Sequence, residues 1–122
     1  MEYKIQKFTD LVAWQKAHQL ALQIYQLTKD FPNDERFGLV NQMRRAAVSI
    51  SSNIAEGYGR GTAKDKVHFY LIAQGSLYEI ESQLLIALDL GYTKKKIEII
   101  DTIMHVDKLL KGLMRSAQSR HT

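Results

Sequence analysis

The chain contains no cysteine. This excludes disulfides, thiolate nucleophiles and cysteine-ligated metal, and leaves the cytoplasm as the expected location. Proline occurs once, as Pro32, and the seven glycines fall mostly at segment ends, so long stretches run without a breaker. No apolar run approaches the roughly 20 residues that span a bilayer, and residues 1–10 mix charges with isolated apolar side chains, unlike a signal peptide. No membrane association is expected. Alternation of the half-buried strand type is missing too, apart from Tyr3 to Phe8, which suits a short extended arm.

What remains is an ordinary globular composition, 45% hydrophobic and 25% charged. At 122 residues and 14.0 kDa one domain over 1–122 can remove about two-thirds of its unfolded surface from water. Four stretches have helical spacing. The first, about 11–29, follows Thr9 or Asp10 as N-cap, lines up Trp14, Ala17, Ala21, Ile24 and Thr28, and ends at Phe31-Pro32. The second, about 37–57, places Val40, Met43, Ala47, Ile50, Ile54 and Tyr58 on one stripe and is broken by Gly57, Gly59 and Gly61. Thr62 and Asp65 form a capping pattern for the third, about 63–90, which Gly91 stops. The fourth, about 94–118, starts at Thr93 and buries Ile97, Ile100, Met104, Leu110, Leu113 and Met114. Short connections between long helices force antiparallel neighbours, so the fold class is all-α, an up-down-up-down four-helix bundle.

One bundle core does not use all the apolar surface. The third helix needs Tyr70, Ala73, Leu77, Ile80, Leu84 and Leu88 for its inner stripe, yet Val67, Leu71, Tyr78 and Leu85 form a second ridge beside it. Uncovered, that ridge marks an interaction surface. On the second helix Arg45, Ser49, Ser52 and Glu56 form a polar row with unusually many serines, suited to hydrogen bonds with another subunit. These eight residues are the expected oligomer interface. Ala46 and Ala47 match Gly75 and Ser76 in antiparallel register, and a mid-helix glycine is best explained by close packing against it.

Catalytic and metal chemistry find no support. A di-iron bundle needs inward glutamates and paired Glu-x-x-His motifs, and His18, His68, His105 and His121 are scattered. Asp101 and His105, four apart, suit a local ion pair better than a metal site. Gly57-Tyr58-Gly59-Arg60-Gly61 lacks both the preceding strand and the Gly-Lys-Ser/Thr ending of a phosphate loop. No nucleophile stands beside a general base at recognisable spacing. The expectation is a non-enzyme without metal or cofactor.

Charge is the informative excess. The net charge is +4, and an up-down-up-down path gathers both termini and the second connection at one pole. Lys4, Lys7, Arg60, Lys64, Lys66, Lys111, Arg115 and Arg120 meet there, eight cations against Glu2, Asp10, Glu56 and Asp65. At the other pole Lys29, Arg36 and Lys94 to Lys96 are balanced by six carboxylates. A concentrated positive surface favours a polyanion through counterion release. These eight are the expected nucleic-acid-binding residues, with base stacking minor because Tyr58 is the single aromatic in the basic loop.

Several blocks resemble the bacterial four-helix bundle protein family that includes proteins encoded in intervening sequences of 23S ribosomal RNA genes. They are Leu11 to Ala17; Phe31-Pro32 with Glu35 to Leu39; Gln42 to Ile50 continuing to Asn53 to Gly57; and Ala73 to Leu77 with Glu79, Glu81 and Gln83. The resemblance covers most of the first three helices and, in pattern only, the fourth. It implies a bundle assembled into a ring, described as a homopentamer, in the cytoplasm. More distantly it implies kinship with the accessory protein of diversity-generating retroelements, a basic pentamer that works with a reverse transcriptase and RNA. It supplies no catalytic residue.

Two functions follow as expectations. The first is a homo-oligomer that binds nucleic acid, with RNA as the partner, through its basic pole. The alternative is a protein adaptor that recruits an RNA-acting enzyme, such as a reverse transcriptase, through the ridge and the polar row.

Overall fold

A computed structural model describes residues 4–119. Its four long helices are α1 (Val12–Thr28), α2 (Leu39–Tyr58), α3 (Ala63–Asp89) and α4 (Ile97–Ser119), with 3-10 turns at Phe8–Asp10 and Asn33–Glu35. Each packs against its sequence neighbour and α1 closes on α4, while neither diagonal pair comes close. The protein is thus an all-α, up-down-up-down four-helix bundle without strands among the described residues.

Side-chain bonds fix the antiparallel register. Arg44 Nε donates to Thr28 Oγ1 at 2.9 Å near the α1–α2 turn. Ser76 Oγ donates to Ser49 Oγ at 2.9 Å across α2 and α3, and Gln74 Nε2 donates to Asp107 at 3.3 Å across α3 and α4. Between these seams Leu20, Ile24, Met43, Ile50, Ile54, Leu77, Ile80, Val106 and Leu110 are fully enclosed. Burying each such side chain contributes roughly 1.5–3 kcal/mol.

The helix ends show which sequence signals governed. Thr62 Oγ1 accepts the Asp65 N–H at 3.1 Å, as its capping pattern predicts. Gly91 adopts φ +76°. Its N–H reaches Leu88 O and that of Tyr92 reaches Ala87 O, the paired bonds of a Schellman stop that only a residue tolerant of positive φ permits cheaply.

Other expectations need correction. Neither Thr9 nor Asp10 caps α1: Leu11 is the cap residue and makes no side-chain bond, because Asp10 Oδ2 accepts from Gln6 and Lys7 in the preceding turn. The second helix starts at Leu39 rather than 37. Gly57 does not end it, since it continues to Tyr58. Buried Gly57 is instead packed tightly against α3; a Cβ there would lie 2.6 Å from the Tyr70 ring.

Thr93 does not cap α4, which begins at Ile97 rather than 94. Thr93 Oγ1 donates to Lys94 O, and the Lys96 carbonyl receives the first helical bonds. Three lysines at the positive end of a helix dipole favour this later start. The α4 stripe is rotated from the expected one: Ile97 is 65% and Met104 66% exposed, while Ile99, Ile103 and Val106 are buried. Trp14 is half-buried, and Ala13 and Leu20 take the inward positions. Gly75 faces outward, with nothing within 4 Å of an added Cβ, whereas Ser76 packs into the α2–α3 seam.

Candidate nucleic-acid interface and the exposed apolar face

The bundle path brings the described N-terminal segment, the α2–α3 connection and the end of α4 to one pole. The Phe8–Asp10 turn packs on both α1 and α2, and a shallow recess of about 420 Å³ lies between Leu11–Ala13 and the outer side of α4. Lys4, Lys7, Lys64 and Arg115 stand exposed at this pole. Arg120 lies outside the described residues.

Three further expected cations are engaged within the chain. Lys66 Nζ donates to Tyr58 O at 2.7 Å and to Gly57 O at 3.3 Å. It caps the carbonyl end of α2, where a cation also complements the dipole. Lys111 pairs with Asp107 at 2.8 Å. Arg60 pairs with Glu56 at 3.4 Å and sits over the Phe69 ring, its guanidinium carbon 4.7 Å from the centroid.

Asp107 is a small hub. Partial burial opposes its charged form, but Lys111, Gln74 and Tyr78 all bond it, and together they hold its carboxyl below the usual carboxylate range. The same pair raises the Lys111 ammonium, through the hydrogen bond first and the charge second. Tyr78 is raised by partial burial and then by Asp107.

Two residues absent from the set expected from sequence join the surface. His105 and Lys108 line the recess with Arg115, and Lys108 extends the positive pole along α4. Their signal was present in the spacing 105, 108, 112, 115, one outer helical face. Asp101 makes no ion pair with His105 among the described contacts. A larger recess of about 940 Å³ lies at the other pole, between α1 and the α3–α4 connection; Asp30 and Glu98 offset its Lys94 to Lys96. No cluster able to hold a metal exists among the described residues, and no helix is long and apolar enough to cross a membrane.

The expected interface residues separate into three groups. Leu71, Tyr78 and Leu85 are 52%, 47% and 61% exposed, left open by the described residues; Val67 is half-buried. Ile72 and Ile86 on α3, and Ile97 and Met104 on α4, are exposed as well. Arg45, Ser52 and Glu56 are exposed. Ser49 instead spends its hydroxyl inside the chain, accepting from Ser76 and Asn53.

A search of curated proteins gave no match. Among solved structures the chain is similar to a protein of unknown function from the S23 ribosomal protein family of Bacteroides thetaiotaomicron, 24% identical. That likeness covers 85% of this chain and 96% of the other, with a TM-score of 0.77, and it shows the shared fold. The model of the 23S rRNA-intervening sequence protein family matches residues 9–113, all of the bundle except its last turns and the N-terminal segment, and the chain belongs to that family.

Proposed function

We propose that the protein is a non-enzymatic, cytoplasmic, homo-oligomeric bundle that binds RNA through its basic pole. The observation that carries this reading is the convergence of Lys4, Lys7, Lys64 and Arg115, all exposed, from three separate parts of the chain. Such cations release counterions when they meet phosphates, and they need no sequence-specific contact to do so. The family's name, 23S rRNA-intervening sequence protein, lends this reading support. Subunits joined through the exposed face of α3 would repeat the basic pole and multiply its field. The resemblance to ring-forming bundles makes a pentamer the assembly we favour.

Affinity for a labelled RNA is the test. It should fall steeply between about 50 mM and 200 mM salt. Replacing Lys64 and Arg115 with glutamine should weaken binding and flatten the salt slope by about one unit per lost contact. Unchanged affinity in that double variant would remove the basic pole as the site.

The second reading, an adaptor for an RNA-acting enzyme such as a reverse transcriptase, draws on the same uncovered apolar face. It predicts no RNA affinity even at low salt, together with a stable complex with the enzyme.

A further inference from the structure

The cations of the basic pole differ in what their partners leave available. Lys66 is tied to two carbonyl oxygens and Lys111 to a carboxylate, so each ammonium loses much of its use as a point charge. Arg60 is also ion-paired, with Glu56. A guanidinium, however, keeps a flat, weakly hydrated π surface when its charge is balanced, and an ammonium has none. Arg60 is therefore a poor phosphate ligand beside a carboxylate, but a good surface for an aromatic ring.

Its placement suits that use. The guanidinium carbon lies over the Phe69 ring at 4.7 Å, and the Glu56 contact holds it from a second direction. The side chain is still 44% exposed, so the side away from Phe69 faces out. Two fixed contacts remove much of the rotamer freedom that a surface arginine would lose on binding. The connection around it is open: at Gly61 an added Cβ would meet nothing within 4 Å. Lys64, four residues on in the first turn of α3, is exposed as well.

We propose that Arg60, seated on Phe69, is a stacking platform for an unpaired base, so that the basic pole selects single-stranded over duplex RNA and purines over pyrimidines. This rests on the RNA-binding reading above. Within a duplex the base faces are occupied by their neighbours and only edges and phosphates are displayed; a free face is offered by loops, bulges and single strands. Stacking is tolerant of sequence but stronger for larger rings.

The experiment compares short labelled oligoadenylate, oligouridylate and a duplex of equal phosphate number, at one low salt concentration. Wild-type protein should bind oligoadenylate about tenfold more tightly than the duplex. Arg60→Lys keeps the charge but lacks the plane; it should lose most of that preference while the salt slope stays the same. Phe69→Leu, which leaves Arg60 unsupported, should act in the same direction. A 2-aminopurine placed in the oligoadenylate is dim while stacked on its adenine neighbours; it should brighten when wild type draws it out of that stack and much less with Arg60→Lys, a signature that charge alone would not produce. Equal affinity for single strand and duplex, or an Arg60→Lys variant that binds and brightens the probe like wild type, would overturn the platform while leaving phosphate binding intact. No binding of any of the three at low salt would overturn the RNA reading and the platform with it.

Discussion

The Tyr92 hydroxyl donates to Glu35 Oε2 at 2.7 Å, joining the α3–α4 connection to the α1–α2 connection across the less basic pole. The same carboxylate accepts the Leu39 N–H at the start of α2, and the Tyr92 ring packs on buried Phe31 at 5.5 Å. One tyrosine therefore latches two loops and supports a helix start. Its phenol is raised above the ordinary tyrosine range, first by the hydrogen bond to Glu35. A raised group contributes stability that is complete below its unfolded pKa and lost as pH rises through the folded one. Tyr92→Phe keeps the ring and removes the bond. The thermal midpoint should drop slightly at neutral pH, and the gap between variant and wild type should close in strong alkali. A gap that persists there would show that ring packing had changed instead.

Two glycines in helices should respond oppositely to alanine. Gly57→Ala gains helix propensity of about 1 kcal/mol, but its Cβ would sit 2.6 Å from Tyr70 Cε1 and 3.2 Å from the Lys66 carbonyl. Tyr70 is buried and cannot swing away freely, so overpacking of about 1–3 kcal/mol should win. Gly75→Ala meets nothing within 4 Å and should stabilise the isolated subunit by up to about 1 kcal/mol. Denaturant midpoints measure both. Stabilisation by Gly57→Ala would show that α2 and α3 are less closely packed than described.

The bundle itself was legible from the chain because α2 has one clear apolar stripe, Met43, Ala47, Ile50 and Ile54, and because Ala73, Leu77 and Ile80 continue an inner stripe on α3 even beside its second ridge. On α4 apolar residues fill more than one face, and periodicity alone could not choose between the stripe through Ile97 and Met104 and the one through Ile99, Ile103 and Val106. Contact with both α1 and α3 decided it. At the basic pole the positions of the charges followed from topology, whereas their partners did not. That Lys66 would cap α2, and that Arg60 would rest on Phe69, depends on loop geometry that no spacing rule encodes.

Self-association is tested most directly at the outer side of α3. Leu71 and Leu85 are exposed and lie outside the core cluster, so Leu71→Glu with Leu85→Glu should leave helix content intact. If this face joins subunits, placing charge there costs more than the isolated subunit feels, since an unpaired buried charge is strongly disfavoured. Light scattering should report a multiple of 14.0 kDa for wild type and a single subunit for the variant. A wild-type particle of one subunit mass would refute the assembly.

The α3–α4 seam should weaken in acid through Asp107. Its carboxyl is held low because hydrogen bonds from Lys111, Gln74 and Tyr78 outweigh the opposing effect of partial burial. For a depressed group the contribution is complete above the unfolded pKa of about 3.9 and is lost as pH falls through the lower folded value. Asp107→Asn abolishes that titration and also releases Lys111, whose raised ammonium depends on the pair. The variant should therefore be less stable than wild type at pH 7, with the two denaturant midpoints converging as pH falls below about 4. Added salt should narrow the neutral-pH difference in part, because the Lys111 end of the pair is half exposed and open to screening. Midpoints that stay parallel from pH 7 into acid would mean that Asp107 titrates alike in the folded and unfolded chain, and that the bonds converging on it do not hold α3 to α4.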